Sequence, residues 1–234
     1  MKINVKILSD FLKKIKMEGL EQVTEILMDF SDEGLIISAV SATNTVRVDG
    51  KLSRDAFTIY ESIGEVAVQD LPTITKIIDR FSEEIEIVVE GNVITFKDKS
   101  KEMNTELMDK QFLKKLDDMK ELGLDVSIDL PISVLHDLVS DANINRDFTK
   151  VSFKTGENAI LLETDGKYVF KRSVNIEGLT SGTQVGFGNP FVNAVSNLKS
   201  NIKLELKTNF PARITEVTKE SKVVIVVAPR IENK

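Results

Sequence analysis

Val223-Val224-Ile225-Val226-Val227-Ala228-Pro229-Arg230-Ile231-Glu232 is the last apolar run of the chain. Five β-branched residues in succession predict a strand. Ala228-Pro229 ends it, because proline has no N–H for a ladder, and a short charged tail follows. Just upstream, Asn209-Phe210-Pro211-Ala212-Arg213-Ile214 predicts another strand, opened by a proline. Residues 203–207 and 212–217 then flank Phe210-Pro211 as a strand pair.

Similar pairs occur further back. Glu84-Ile85-Glu86-Ile87-Val88-Val89-Glu90 alternates, Gly91-Asn92 turns, and Val93-Ile94-Thr95-Phe96 returns, which is a hairpin signal. Residues 150–154 and 160–164 flank Gly156-Glu157-Asn158. Residues 167–176 alternate over a long stretch and read as an exposed strand with a free edge.

Short amphipathic patterns of period 3.6 separate these strand groups. In the first, Phe11, Leu12 and Ile15 share a face, and Lys13, Lys14 and Lys16 point away from it. Ser9 or Asp10 can cap its start and Gly19 can end it. In the second, Ile74, Ile77, Ile78 and Phe81 form a stripe, with Lys76 and Arg80 together on the polar side. The third buries Val134, Leu135, Leu138, Val139 and Ala142 and exposes His136, Asp137, Ser140 and Asp141. The fourth starts at Asn189-Pro190, an N-cap and N1 pair. It buries Phe191, Val192 and Val195 and exposes Asn193, Ser196 and Asn197.

Pro72, Pro131 and Pro190 stand before three of these helices, 59 residues apart each time. Another step of 59 back from Pro72 lands on Lys13, inside the first pattern, which lacks the proline. Four units of about 58 residues, each a helix followed by strands, account for the chain. The expected class is α+β, with helices gathered on one face of antiparallel sheets. Residues 110–125, Lys-Gln-Phe-Leu-Lys-Lys-Leu-Asp-Asp-Met-Lys-Glu-Leu-Gly-Leu-Asp, do not fit the repeat and mark a boundary between residues 1–109 and 126–234. Phe112, Leu113, Leu116, Met119 and Leu122 lie there at roughly helical spacing.

At 234 residues the chain can bury one large core or two ordinary ones. With 41% hydrophobic and 29% charged residues it reads as globular. No apolar run approaches the roughly 20 residues of a membrane span, so no membrane association is expected. Met1-Lys2-Ile3-Asn4-Val5 does not read as a signal peptide. There are no cysteines, which excludes disulfides and thiolate chemistry. The net charge is −6, unevenly spread: residues 1–108 carry 13 Lys/Arg against 20 Asp/Glu, and residues 127–234 carry 14 against 12. Such a chain binds nucleic acid only by presenting one basic face.

No catalytic constellation is present. His136 is the only histidine and has no metal-site or triad partners. Asp137 and Asp141, at i and i+4, read as solvated surface. No phosphate-cradling glycine loop or nucleophile elbow appears. The expectation is a protein without enzymatic activity, cofactor or metal.

The closing strand with its Ala-Pro tail and the upstream Pro211 resemble the C-terminus of sliding clamps of the proliferating-cell-nuclear-antigen (PCNA) type. The resemblance covers the whole chain. Ser9-Asp10-Phe11-Leu12-Lys13-Lys14-Ile15 looks like the family's first helix, and Met28-Asp29-Phe30-Ser31-Asp32-Glu33-Gly34-Leu35 like the strand–turn–strand after it. Ser41-Ala42-Thr43-Asn44 occupies the next loop. Glu106-Leu107-Met108-Asp109 matches the strand end before the interdomain connector, which residues 110–125 resemble in position and length.

This resemblance implies two similar domains, each of two β-α-β-β-β units, in a ring-forming DNA-clamp fold. It implies a processivity factor that encircles double-stranded DNA without sequence preference, as a homotrimer. DNA polymerase, a clamp loader and other replication or repair clients would dock through short peptides. Lys13, Lys14, Lys16, Lys76, Arg80, Arg146 and Lys199 would face DNA. Val40, Asn44, Leu113, Leu116, Pro211, Val226, Val227, Ala228 and Pro229 would form the client pocket. Met103, Thr105 and Leu107 on one edge, and Tyr168, Phe170, Arg172 and Val174 on the other, would join subunits as paired strands. The expected location is the cytoplasm of an archaeal or virus-infected cell, or the nucleus of a eukaryote. Asp137 and Ser140 stand where the family often places basic residues, and the fourth helix is neutral, so the second half should contact DNA more weakly. Two other readings stand beside this one: a subunit of a hetero-oligomeric ring or viral transcription coactivator, and a monomeric DNA-binding adaptor. Composition alone makes Lys13, Lys14 and Lys16 an ordinary solvated helix face.

Overall fold

The computed structural model describes residues 1–113, 115–145 and 150–230. The first half runs β1 (Lys2–Asn4), α1 (Val5–Lys16), β2 (Ile26–Ser31), β3 (Gly34–Val40), β4 (Val46–Ser53), β5 (Phe57–Ile59), β6 (Gly64–Val68), α2 (Leu71–Ile78), β7 (Glu84–Glu90), β8 (Val93–Lys97) and β9 (Glu102–Glu106). The second runs β10 (Val126–Leu130), α3 (Ile132–Ile144), β11 (Lys150–Gly156), β12 (Ala159–Asp165), β13 (Phe170–Asn175), β14 (Gln184–Phe187), α4 (Asn189–Val195), β15 (Ile202–Leu206), β16 (Ala212–Val217) and β17 (Ser221–Val227). One β-α-β-β-β unit is thus written four times, with β5 as an additional short strand.

The strands form three antiparallel sheets: β5-β1-β7-β8-β9, β10-β15-β16-β17-β4-β3-β2-β6, and β13-β12-β11-β14. The middle sheet is built from both halves. Its seam is β17 against β4, seven residue pairs from Ser221↔Leu52 to Val227↔Val46. Val223, Ile225 and Val227 on one side and Val46, Val48 and Leu52 on the other are almost wholly buried. The last strands of the first and fourth units therefore pair within the chain. The last strands of the second and third units, β9 and β13, have one neighbour each and end their sheets.

The helices cover one face. Asn4 caps α1, its Oδ1 accepting from the backbone N–H of Lys6 at 2.9 Å and of Ile7 at 3.4 Å. The helix thus begins one turn before the expected Ser9 or Asp10, and the two residues lie within it. Asn4 was hidden because Met1–Val5 alternates like a strand. Asp70 caps α2 through the Thr73 N–H. In α4 the N-cap is Gly188, with Pro190 in the first turn, one residue from the expected pair. The N-terminal N–H of α3 is held from afar, Ile132 N donating to Asn201 Oδ1 at 3.1 Å. In α3 only Leu135, Leu138 and Ala142 are fully buried, while Val134 and Val139 are half-buried.

Gly50 lets α1 lie close on the middle sheet. A Cβ at this inward position of β4 would sit 2.5 Å from Ile15 Cδ1 and 2.9 Å from Phe11 Cε2. Gly50→Ala is expected to cost about 1–3 kcal/mol by overpacking, read as a lower urea midpoint at unchanged slope.

The described residues of 110–125 lie across the far face of the middle sheet. Met108 bridges to Ala67 beside β6, and Asp125 N donates to Leu206 O beside β10. Between these ends Arg47 Nη2 donates to Asp117 O at 2.7 Å, Lys115 pairs with Glu65, and Lys207 Nζ reaches Gly123 O at 3.1 Å. Among the described residues the segment has one 3-10 turn, Lys110–Phe112, and no α-helix. Its apolar residues, apart from exposed Phe112, sit half-buried over the sheet as a strap.

Candidate nucleic-acid interface and partner site

The four helices lie side by side in the order α2, α1, α4, α3. Helix α1 packs on α2 and α3 on α4. Asn197 Nδ2, just past α4, donates to the Lys13 carbonyl in α1 at 3.0 Å. Along α1 the solvent side carries Lys6, Asp10 and Lys13, opposite buried Leu8, Phe11, Leu12 and Ile15. Helix α2 exposes Thr73 and Lys76, the turn after it exposes Arg80, and the segment after α4 exposes Lys199.

The expected DNA-facing lysines divide sharply. Lys76 and Arg80 are exposed. Lys13 is half-exposed and paired with Asp79 across to α2 at 2.8 Å. Lys199 is paired with Asp10 of α1 at 2.6 Å. Lys14 corrects the sequence reading: its side chain is 5% exposed and lies against Glu216 of β16. Glu216 Oε1 also accepts from the Lys199 and Ser200 N–H groups at 2.6 and 2.7 Å. Lys14 is taken up by the junction between α1, β16 and the end of α4, and offers nothing to a phosphate. Lys16 is likewise buried, bound to Glu18 at 2.6 Å. Both flank the apolar stripe of α1, where the neighbouring elements close over them. Arg146 lies outside the described residues, as do Ile231 and Glu232 of the tail.

Burial pushes the Asp79 carboxyl up, but hydrogen bonds from Lys13 and Ser9, with the charges of Lys13 and Lys199, outweigh it and hold it below the usual carboxylate range. Glu18 behaves alike: burial raises it, and Lys16, Asn197 and the charge of Lys76 bring it down. Both groups therefore support the fold above the ordinary carboxylate range and cease to do so on acidification.

The far face of the middle sheet gathers most of the expected partner site. Register places Val40, Arg47, Val226 and Arg213 in one row across β3, β4, β17 and β16. Asn44 is exposed in the turn before β4, with φ 58°. The tail continues the ladder, Ala228 N donating to Thr45 O at 2.8 Å, and is pinned beyond Pro229 by Arg230 N to Gly186 O at 2.8 Å. Pro211 stands beside it at the start of β16. Leu113 and Leu116 of the strap are half-buried above the same sheet. Val227 does not belong here: it points inward and is 0% exposed. The row contains two residues that were not expected, Arg47 and Arg213, the former held by Asp49 and by the Asp117 carbonyl.

The edge residues Met103, Thr105 and Leu107 are half-buried along β9 and just past it, as are Phe170, Arg172 and Val174 along β13. One expectation fails. The strand at 167–176 is only Phe170–Asn175, and Tyr168 lies outside it, its N–H and carbonyl both bonded to the Asn145 side chain. Arg172 is engaged within the chain, its guanidinium held by Asp137 and, at 3.5 Å, by Asp141. Asp137 is exposed, as expected, and together with Asp141 it holds that arginine.

No protein-family model matches the chain, and no curated protein sequence matches it. Solved structures do. A PCNA from A. fulgidus, in a structure with the C-terminal region of FEN-1 bound, superposes with a TM-score of 0.86 at 22% identity, covering 100% of this chain and 98% of that one. PCNA from Entamoeba histolytica gives 0.81 at 15% identity, covering 98% of each chain. The chain has the fold of the PCNA-type sliding clamps.

Proposed function

We propose that the chain is a sliding-clamp subunit that closes into a homotrimeric ring around duplex DNA and tethers replication and repair enzymes. One observation carries this reading. The last strands of units one and four already pair within the chain, as β4 and β17. The equivalent strands of units two and three, β9 and β13, are left open at the two ends. Pairing β9 of one copy with β13 of the next repeats the internal seam and satisfies both edges. Such a contact is heterologous and closes into a ring. Residues 1–109 and 126–234 are then the two clamp domains and 110–125 the connector.

A closed ring holds DNA by topology, so a few phosphate contacts suffice and an acidic chain can serve. Among the described residues, Lys76 and Arg80, with Lys6, are the exposed cations of the helix face that are in no ion pair. The structure of a similarly folded clamp with a FEN-1 segment bound supports clients that dock by short peptides. Here the row of Val40 and Val226, with Pro211, Ala228, Pro229, Leu113 and Leu116, is the surface for an apolar plug. The role requires no catalysis.

Lys76→Ala with Arg80→Ala is expected to weaken binding to short linear duplex and to flatten its salt dependence, by about 0.9 in log–log slope for each phosphate no longer neutralised. Lys97→Ala with Lys203→Ala, on the β surface away from the helices, should leave both unchanged. An equal effect in the control pair would refute the basic helix face and favour the monomeric adaptor.

A further inference from the structure

We infer that Asp10 and Asp79 are built-in counterions that hold Lys199 and Lys13 off the DNA backbone, so that the helix face engages phosphate with fewer cations than it carries. This rests on the DNA reading above and adds a regulatory layer to it.

The four residues form one cluster in the middle of the helix row. Lys13 Nζ lies 2.9 Å from Asp79 Oδ1 and 2.8 Å from Oδ2, straddling the carboxylate at the end of α2. Ser9 donates to the same Oδ1, fixing its orientation. On the other flank of α1, Lys199 Nζ lies 2.6 Å from Asp10 Oδ1. One pair joins α1 to the residue that closes α2 and the other joins it to the segment after α4, and both remain partly exposed: side chains are 32% and 39% open for Lys13 and Asp79, 53% and 23% for Lys199 and Asp10. Exposed pairs of this kind are worth little to stability. Their consequence for a polyanion is larger, since each lysine must leave its carboxylate before it can meet a phosphate, and the carboxylate left behind repels the duplex. Lys76 and Arg80 have no such guard among the described residues. The arrangement suits a ring retained by topology, for which tight phosphate binding would slow sliding.

The test compares the full-length chain with Asp10→Asn/Asp79→Asn on a short linear duplex, reading the dissociation constant from about 50 to 200 mM salt. Asparagine keeps the Ser9 hydrogen bond, and thermal unfolding confirms the fold. Asp10→Asn alone serves should the double variant be unstable. The double variant is expected to bind more tightly, with a log–log slope steeper by about 0.9 for each lysine released, or about 1.8 for both in one subunit. In a Lys13→Ala/Lys199→Ala background the same neutralisation should leave the slope unchanged, because no cation remains to reach phosphate. Asp118→Asn/Asp129→Asn, an equal charge change on the far face, should leave affinity and slope near wild type. An unchanged slope in the double variant, while Lys76 and Arg80 still matter, overturns the counterion role and leaves the DNA reading standing. Equal tightening by the far-face control also overturns it, in favour of net charge. DNA binding insensitive to every helix-face variant overturns the DNA reading and this inference together.

Discussion

Glu216→Ala should cost about 3–5 kcal/mol of stability, the magnitude found when one member of a buried ion pair is removed. The carboxylate is fully buried and receives Lys14, the Lys199 N–H and the Ser200 N–H. Its removal strands an ammonium and two backbone donors in a site that water does not reach. Because Lys14 is in α1 and Glu216 in β16, the destabilisation falls on the junction between the halves. Urea unfolding should show a much lower midpoint, or a separate early transition if the halves uncouple. Lys14→Met/Glu216→Leu should recover much of the stability, since apolar replacement of a whole buried pair is often neutral or stabilising. The DNA salt slope of Lys14→Met should match wild type. A flattened slope there would return Lys14 to the DNA face and contradict its burial.

Val226→Asp and Val227→Asp should have opposite consequences, although the residues are adjacent and alike. Val227 points into the core, and an unpartnered carboxylate there costs several kcal/mol, a large share of the roughly 5–15 kcal/mol that holds a domain folded. Val227→Asp is expected to be unfolded or insoluble. Val226 lies on the far face between Arg47 and Arg213, so Val226→Asp should fold, with circular dichroism and oligomeric mass as in wild type. It should weaken a short client peptide by about 30-fold or more, the effect of losing an interface residue worth about 2 kcal/mol. Unchanged peptide binding would move the client pocket elsewhere. A normally folded Val227→Asp would reverse the assignment of faces.

This pair shows why part of the partner site was not legible in the sequence. A strand reveals its faces by alternation, and Val223–Val227 is apolar at every position, so parity came only from the partners of β17. The architecture was legible because its signals are local: hairpin turns such as Gly91-Asn92, helical stripes such as that of α2, and prolines at a fixed step. The free edges at β9 and β13 were legible because both strands alternate. Lys14 was not, because the carboxylate that buries it lies in the other half of the chain, and on a helical wheel it looks like its neighbour Lys13. The partners of Arg172 were hidden by sequence distance within one half, its two aspartates standing on α3 with β11 and β12 in between. Composition points away from DNA, but the acidic excess of the first half is a sum over all faces and does not describe the helix face.

The mass of the native particle, measured at micromolar concentration in physiological salt, tests the ring most directly. Three copies per particle, seen as a closed ring with a central hole in single-particle images, is the predicted result. A stable monomer under the same conditions would leave β9 and β13 unpaired and contradict the account.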